Sequence, residues 1–204
     1  MICVTGANGQ LGLHIQEHLK KQCYEYIPVE RSKLDISSNE EVKDFFKNIN
    51  LTLLINAAAY TDVDEAERKV KEAYLVNEKG VRNLTNICNE NDAPIIHVST
   101  DYVFNGTSTK PYQSNDKTDP INVYGQSKLA GEITIKKHAN KFLLLRTSWV
   151  FSEYGKNFFK TILNLAKENT VLKIVSDQYG NPTYAGDLAE ALVSAIPKIF
   201  LNKN

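Results

Sequence analysis

The sequence predicts an α/β fold built on a doubly wound parallel sheet. Short apolar runs alternate with longer amphipathic stretches along most of the 204 residues, which is the pattern of repeated βαβ units. A glycine-rich turn follows the first apolar run, and small or polar residues follow the later ones. Because the carboxyl ends of parallel strands meet at one edge of the sheet, we expect the functional residues in the turns at that edge.

Five apolar runs supply the strands of the predicted sheet: MICVT, YEYIPV, TLLIN, APIIHVST and KFLLLRTSWVF. Helices are expected over 9–21, 38–48, 64–91, 124–138, 157–168 and 186–196. Ser38 and Glu41 form a capping-box pattern, which predicts where the second helix begins. A sixth strand is predicted at VLKIV, residues 171–175.

The composition excludes several classes of partner. Lys plus Arg and Asp plus Glu both number 24, so we expect no basic surface for nucleic acid. The N-terminus has no signal-peptide pattern and no apolar run is long enough to span a bilayer, so we expect a cytoplasmic protein without a membrane partner. Cys3, Cys23 and Cys88 lack the spacing of a metal site, which predicts reduced, mostly buried thiols.

The turn after the first strand reads VTGANGQLG and predicts a Rossmann-type nucleotide-binding loop. Glycine allows a tight turn and a close approach of the backbone to a ligand. The N-terminus of the following helix offers free N–H groups and a positive dipole end to a diphosphate. The candidate cofactor-binding residues in this turn are Gly6, Asn8, Gly9, Gln10, Leu11 and Gly12.

The ends of the second and third strands supply further candidates for cofactor binding. Glu30 suits a ribose 2′-hydroxyl, whereas Arg31 and Ser32 suit a 2′-phosphate, so the two patterns point to different cofactors. We expect NADPH, with NADH tolerated. Asp35 and Ile36 are placed beside the adenine, although an Asp before a helix is also typical of a turn. The small residues Ala57, Ala58 and Ala59 would let the cofactor lie against the backbone.

The segment YGQSK predicts the reactive pair of the site. Tyr124 and Lys128 stand four residues apart on a predicted helix and therefore share one face. A lysine cation favours the phenolate, so it is expected to lower the pKa of the tyrosine and to ease proton transfer. Ser99 and Thr100 end the fourth strand at the carboxyl edge, where a hydroxyl can bind the same substrate oxygen.

These features resemble the extended short-chain dehydrogenase/reductase family, whose nucleotide loop is T-G-x-x-G-x-x-G and whose active site combines Ser or Thr with Tyr and Lys. Within that family the chain is similar to the dTDP-4-dehydrorhamnose reductases, in the blocks TGANGQLG, NAAAYTDVDEAE, VN at 76–77, STDYVFNG, YGQSK, RTSWVF and DQYGNPTYAGDLA. The resemblance implies hydride transfer from a reduced nicotinamide to C4 of dTDP-4-dehydro-L-rhamnose, giving dTDP-L-rhamnose for L-rhamnose biosynthesis.

The resemblance also implies a role for each matching catalytic residue. Tyr124 would donate a proton to the forming C4 alkoxide, and Thr100 would hydrogen-bond the carbonyl. Lys128 would hold the nicotinamide ribose and lower the pKa of the tyrosine. Asn77 would support a proton relay.

Substrate binding is assigned by the resemblance to Thr100, Tyr102 and Trp149. Trp149 would offer an apolar face to the sugar or the base. Ordinary packing in the core is the alternative role for this residue. The resemblance implies a dTDP-sugar as the partner. It is also compatible with a homodimer.

Two departures from the family pattern matter. Magnesium-linked members carry a glutamate two positions after the third glycine, where this chain has His14, which argues against magnesium; no metal ligands are assigned. His14 and His18 are interpreted as a solvated helix face. The chain also ends at Asn204, so we expect an NAD(P)-binding domain over 1–150 and a small, incomplete substrate lobe over 151–204. Such a lobe predicts a half-open substrate cleft and weak binding of the dTDP-sugar.

Two other functions remain as alternatives. A nucleotide-sugar epimerase or 4,6-dehydratase has the same fold, but dehydratases carry Thr-Asp-Glu where this chain has Thr100, Asp101 and Tyr102. A non-catalytic regulatory subunit, similar to the beta subunit of methionine adenosyltransferase, is the second alternative. The intact Tyr124 and Lys128 favour an enzyme.

Overall fold

The computed structural model describes residues 1–168 and 170–201. Its main sheet consists, in the described part of the chain, of β1 (Ile2–Thr5), β2 (Tyr26–Val29), β3 (Leu53–Asn56), β4 (Ile95–Thr100) and β5 (Phe142–Thr147). These strands are all parallel, in the order β2-β1-β3-β4-β5. The strand order reverses at β1, and such a reversal opens a crevice at the carboxyl edge of the sheet. The predicted Rossmann-type doubly wound fold is confirmed.

Helices cover both faces of this sheet. They are α1 (Gln10–Lys21), α2 (Asn39–Phe46), α3 (Val63–Arg68), α4 (Val70–Tyr74), α5 (Val81–Glu90), α6 (Val123–His138), α7 (Phe158–Glu168), α8 (Ala185–Ser194) and α9 (Ile196–Leu201). Helices α1 and α8 pack together on one face, and α2, α5 and α6 pack on the other. No helix in the described ranges is long and apolar enough to cross a membrane.

The alternation of side chains along β1 shows how the sheet separates two cores. Val4 faces α1 and α8, where it packs in one cluster with Ile15 and Leu192. Cys3 points to the opposite face and packs with Phe46 and other residues of α2 and α5. Successive strand residues point to opposite faces, so a strand that is buried on both faces, as β1 is, suits a sheet covered on both sides.

Helix α8 connects the C-terminal segment to the nucleotide-binding domain. Ala189, Leu192 and Val193 belong to the same buried cluster as β1 and β3. The chain after 150 therefore contributes to the same core as β1 and β3, and the division into two domains at residue 150 stays a prediction. Two short strands, β6 (Val150–Phe151) and β7 (Thr183–Tyr184), form a separate parallel pair beside this core.

Two predicted elements are interrupted in the structure. The helix expected over 64–91 is divided into α3, α4 and α5, with a π-helical turn at Leu75–Gly80 before α5. The fifth strand ends at Thr147, because Trp149 adopts a left-handed backbone conformation with φ of 46° and turns the chain into β6. Both interruptions lie near the site described below, where tertiary contacts override local helix and strand preference.

The sixth strand predicted at 171–175 is absent from the structure, so that prediction is wrong. Val171, Ile174 and Val175 are exposed, and none of these residues is in a helix or strand. An apolar run becomes a strand only when a neighbouring strand pairs with its backbone, and none of the described strands pairs with this segment.

The helix starts follow the predicted capping chemistry. Ser38 Oγ accepts from the Glu41 N–H at 3.3 Å, as the capping-box pattern requires, but the Glu41 carboxylate accepts from the Asp35 N–H instead of completing the box. Asn122 caps α6 by accepting from the Gly125 N–H at 2.7 Å. This cap fixes the first turn of the helix that carries Tyr124.

Candidate active site

A cavity of about 630 Å³ opens at the carboxyl edge of the sheet, at the point where the strand order reverses. Every cofactor-binding residue predicted from the sequence lines it: Gly6, Asn8, Gly9, Gln10, Leu11, Gly12, Arg31, Ser32, Asp35, Ile36, Ala57, Ala58, Ala59, Tyr124 and Lys128. The structure thus brings together residues from the ends of β1, β2 and β3 and from α6. Their individual roles remain predictions.

The glycine loop forms the floor of this cavity. Gly12 lies in the first turn of α1, where a Cβ would overlap the carbonyl oxygen of Gly6. Gly9 precedes the helix and supplies no side-chain cap, so the first-turn N–H groups of α1 lack a capping acceptor. An uncapped helix N-terminus in a concave site suits a diphosphate, which supplies both the acceptors and the negative charge.

The residues at the end of β2 differ in whether they line the cavity. Arg31 and Ser32 line the cavity, whereas Glu30 is absent from the lining and accepts from Ser32 Oγ at 3.3 Å. Asp35 lines the cavity and also accepts from the N–H and the hydroxyl of Ser37, at 2.9 and 2.8 Å. Hydrogen bonding from Ser37 lowers the pKa of Asp35, so its carboxylate is ionised and serves the turn as well.

Tyr124 and Lys128 lie on one face of α6, and both line the cavity. Burial raises the pKa of Tyr124 to about 12, and hydrogen bonding with Thr100 opposes that rise. Lys128 is 2% exposed, and its Nζ donates to the backbone oxygen of Val98 at 2.7 Å. Burial lowers the pKa of Lys128 to about 8, although the nearby Glu132 carboxylate opposes the change.

These values correct one expectation about the pair. The sequence predicted that Lys128 would lower the pKa of Tyr124, but burial outweighs any such effect and raises it. The ammonium group is directed at the Val98 carbonyl, which holds it in place at the cavity wall. Tyr124 is therefore a protonated hydroxyl at neutral pH, ready to donate.

The fourth strand ends in a short polar sequence beside Tyr124. Thr100 Oγ1 donates to Asp101 Oδ1 at 3.1 Å and accepts from the Tyr102 N–H at 3.2 Å. The Tyr102 ring meets the Tyr124 ring edge-on, with centroids 5.5 Å apart. Burial raises the pKa of Asp101. Thr100 and Tyr102 thus adjoin Tyr124, although neither is among the residues that line the cavity.

Asn77 lies in the π-helical turn, and its side chain ties three parts of the site together. Its Oδ1 accepts from the Tyr60 N–H at 2.8 Å, and its Nδ2 donates to the Tyr60 carbonyl at 3.0 Å and to Ser127 Oγ at 2.9 Å. Ser127 Oγ in turn donates to the carbonyl of Tyr124. Asn77 is 1% exposed, so its side chain supports the site from behind.

A buried polar ladder crosses the strands beneath the cavity. Thr5, Asn56 and His97 occupy paired positions on β1, β3 and β4. Asn56 Oδ1 accepts from Thr5 Oγ1 at 2.7 Å and from the Ala58 N–H at 3.1 Å, and Asn56 Nδ2 donates to His97 Nδ1 at 3.0 Å. Burial lowers the pKa of His97 well below its usual value, so the ring is neutral and can accept. The ladder fixes the turn containing Ala58.

One turn beyond Lys128, a buried ion pair joins α6 to β5. The Glu132 carboxylate accepts from Arg146 Nε at 2.8 Å and from Arg146 Nη2 at 2.6 Å. Arg146 also donates to the carbonyl of Ser114 and lies over the Phe104 ring, 4.9 Å from its centroid. Although burial raises the pKa of Glu132, hydrogen bonding from Arg146 keeps it below its usual value. The charged pair therefore positions α6 relative to β5 and to the segment that contains Ser114.

The structure can be compared with the expectations for the two rings of Trp149 and His14. Trp149 is 42% exposed, and a Cβ at Gly180 would lie 2.6 Å from its indole, so the ring packs on the DQYG segment and is not an ordinary core residue. His14 is 3% exposed, so its interpretation as part of a solvated helix face is wrong. The His14 ring packs against the rings of Tyr154 and Tyr184, which come from the C-terminal segment.

Several cavity residues were not predicted from the sequence. They follow β3, lie on the π-helical turn, on β4 or at the end of β5, or come from the segment that begins with β6. These residues are Tyr60, Thr61, Val76, Val98, Thr147, Val150, Gly155 and Lys156. Tyr60 and Thr61 directly continue the alanine segment, which is a signal that could have found them. Gly155 and Lys156 carry no motif, and only the return of their loop to α1 places them here.

The chain matches known proteins over nearly all of its length. The family model of the RmlD substrate binding domain matches residues 1–204. The dTDP-4-dehydrorhamnose reductase of Aggregatibacter actinomycetemcomitans is 42% identical over 203 residues, which cover 99% of this chain and 69% of that protein.

Two solved structures share the fold closely. A dTDP-4-dehydrorhamnose reductase from Clostridium acetobutylicum has a TM-score of 0.94 at 40% identity, covering 98% of this chain and 71% of its own. The Bacillus anthracis enzyme in complex with NADP has a TM-score of 0.93 at 39% identity, covering 97% and 70%.

This chain thus spans about two thirds of the length of the reductases it matches. The matches include the nucleotide loop, the Tyr124–Lys128 pair and the C-terminal segment that packs on α1. They confirm the resemblance drawn from the motifs, and the chain belongs to the RmlD family of nicotinamide-dependent oxidoreductases, together with the dTDP-4-dehydrorhamnose reductases.

Proposed function

We propose that this chain reduces the C4 carbonyl of dTDP-4-dehydro-L-rhamnose to dTDP-L-rhamnose, with NADPH as the preferred reductant. The observation that carries the proposal is the position of Tyr124 and Lys128 in the same cavity as the glycine loop of α1. A proton donor and a dinucleotide site are thereby combined in one concave space, as a carbonyl reduction requires.

The residues of the cavity fit a nicotinamide dinucleotide. The glycine loop and the uncapped first turn of α1 would hold the diphosphate, and the alanine turn after β3 leaves room for the cofactor beside the backbone. Arg31 and Ser32 would hold a 2′-phosphate, because they line the cavity while Glu30 does not. When bound, the reduced nicotinamide supplies the hydride for C4.

Tyr124 would supply the proton. Its raised pKa, about 12, keeps the hydroxyl protonated at neutral pH, so it can hydrogen-bond the substrate carbonyl and transfer the proton as the C4 oxygen gains charge. As the C4 carbonyl π bond breaks, its electron pair moves to the oxygen, the carbon receives the hydride, and the oxygen takes the Tyr124 proton. The Tyr124 O–H bond breaks in this transfer, and a proton from solvent restores it. Thr100, which adjoins Tyr124, would orient the same oxygen.

Lys128 would hold the nicotinamide ribose. With a pKa of about 8 it is mostly protonated at pH 7, and its Nζ lies 2.7 Å from the Val98 carbonyl, at the cavity wall. A buried cation in this position also stabilises negative charge that develops on the Tyr124 oxygen after proton transfer. Asn77 would maintain the geometry through Tyr60 and Ser127.

The dTDP-sugar would lie on the open side of the cavity, next to Tyr102 and Trp149. Tyr102 contacts Tyr124 directly, and the exposed indole of Trp149 offers an apolar surface to a sugar or a thymine. These assignments follow the family resemblance and the proximity of both residues to the reactive tyrosine or the cavity rim.

The test is to follow NADPH and NADH oxidation with dTDP-4-dehydro-L-rhamnose. Tyr124→Phe keeps the ring and removes the proton donor, so turnover should fall by about 100-fold or more while NADPH affinity stays nearly unchanged. If Tyr124→Phe retained most of the turnover, the proposed role of Tyr124 would be wrong. An epimerase or dehydratase would show no net oxidation of added NADPH. A regulatory subunit would have no turnover of its own. It would change only the turnover of methionine adenosyltransferase that is added to the assay.

A further inference from the structure

The loop at 152–157 returns from β6 to the nucleotide loop and is attached to it by side-chain hydrogen bonds. Gln10 Oε1 lies 3.2 Å from Ser152 Oγ and accepts from Asn157 Nδ2 at 2.8 Å. Asn157 Nδ2 also donates to the Ser152 carbonyl at 2.8 Å, which closes the loop on itself. Gln10 is the first residue of α1, so both ends of the loop are attached at the N-terminus of that helix.

A second attachment lies one turn along α1. His14 Nδ1 is 3.1 Å from Glu17 Oε2, and His14 Nε2 is 3.3 Å from Glu153 Oε2. The Tyr154 ring packs on the His14 ring, with centroids 5.1 Å apart, and its hydroxyl donates to Glu17 Oε1 at 2.6 Å. The first half of the loop is therefore held against α1 by packing as well as by hydrogen bonds.

Gly155 brings the backbone of the loop against the nucleotide loop. Its φ is +61°, in the left-handed region that favours glycine, and a Cβ there would lie 3.2 Å from Gln10 Cγ. A larger residue would be strained and would push the loop away from α1. As a result Gly155 and its neighbour Lys156 line the cavity together with Gly9 and Gly12.

The basic residues of the cavity have separate positions. Arg31, Lys128 and Lys156 are the basic side chains among the described residues that line it. Arg31 follows β2 at the adenosine end, and Lys128 is held at the Val98 carbonyl on the opposite side. Lys156 forms no ion pair with any residue in the described ranges, and its loop is attached where the diphosphate of a dinucleotide would meet α1.

We propose that Lys156, presented by the 152–157 loop, binds the diphosphate of the nicotinamide dinucleotide opposite the N-terminus of α1. The helix N–H groups would bind one side of the diphosphate, and the lysine ammonium would neutralise the other. This inference rests on the dinucleotide cofactor of the proposed function, but not on the identity of the sugar.

The test compares dissociation constants for three probes: NADPH, ADP-ribose, and adenosine 2′-monophosphate, which lacks a diphosphate. Lys156→Ala should weaken NADPH and ADP-ribose about tenfold and leave adenosine 2′-monophosphate unchanged. Lys156→Arg should restore most of the affinity, and the difference from Lys156→Ala should shrink in high salt. Lys160→Ala is the matched control, because its Nζ donates to the Glu153 carbonyl and it does not line the cavity.

Three results would overturn the proposal. Lys156→Ala could bind both diphosphate probes as tightly as Lys160→Ala does. All three probes could weaken equally, which would show a loop defect rather than a diphosphate contact. In a separate titration with dTDP, affinity for dTDP could fall while NADPH affinity does not, which would assign Lys156 to the diphosphate of the sugar nucleotide. A wild-type chain that binds NADPH through Lys156 but does not reduce the dTDP-sugar would instead refute the proposed function alone.

Discussion

Replacing Glu132 by Gln should destabilise the protein strongly, because it breaks a buried ion pair while keeping the shape of the side chain. The Glu132 side chain is 0% exposed and that of Arg146 is 13% exposed, and two hydrogen bonds of 2.8 and 2.6 Å join them. An amide offers one acceptor oxygen and no charge, so the guanidinium is left without its counter-charge. Removing one partner of such a pair costs about 3–5 kcal/mol, and we expect about 3 kcal/mol for this isosteric change.

Urea and thermal unfolding would measure this loss. For a domain of this size, about 3 kcal/mol corresponds to a fall in Tm of roughly 6–12 °C. Glu78→Gln is the matched control, since its carboxylate lies 3.7 Å from Arg82 Nη2 in an exposed i,i+4 pair and should matter little. The double variant Glu132→Leu/Arg146→Leu should recover much of the stability, because it leaves no buried charge unpaired.

Two outcomes would contradict the reasoning about the Glu132–Arg146 pair. If Glu132→Gln shifted the urea midpoint no further than Glu78→Gln, the Glu132–Arg146 contact would not be holding α6 to β5. If the double variant were less stable than Glu132→Gln, the Arg146 contacts with Ser114 and Phe104 would outweigh the ion pair.

Three further predictions concern the cofactor. Gly12→Ala should weaken NADPH binding and cost about 1–3 kcal/mol of stability, because the added Cβ would overlap the Gly6 carbonyl. Calorimetry measures the binding and urea unfolding measures the stability, and unchanged values of both would contradict the close approach of Gly12 to Gly6. Arg31→Ala should weaken NADPH more than NADH, whereas equal losses would remove its 2′-phosphate role. NADPH affinity should fall as pH rises through about 8, where Lys128 loses its proton, and this fall should disappear in Lys128→Arg; a pH-independent wild type would contradict it.

The nucleotide loop and the reactive pair were predictable because both are local patterns. Glycines three apart at a strand-to-helix turn, and Tyr124 and Lys128 four apart on one helix face, are set by backbone geometry over a few residues. The parallel strands then place their carboxyl ends at one edge, so turns far apart in the chain converge without any long-range pairing information. The cavity lining contains every predicted cofactor residue for this reason.

The failures arise where a neighbour decides the outcome. The run 171–175 is as apolar as a buried strand, yet none of the described strands pairs with it. His14 has the spacing of a solvated helix position, but Tyr154 and Tyr184 cover it after more than a hundred intervening residues. Periodicity shows which face of an element is apolar, but it does not show which distant segment packs there.

By itself the sequence determined the five strands of the main sheet, the nucleotide loop and the family, since these depend on short-range spacing and on motifs in a given order. Tertiary structure decided the protonation of the site and its outer wall. Burial, which no motif encodes, raises the pKa of Tyr124 and lowers that of Lys128. The return of the 152–157 loop to Gln10 places Lys156 in the cavity, because hydrogen bonds across about 145 residues depend on the folded path of the chain.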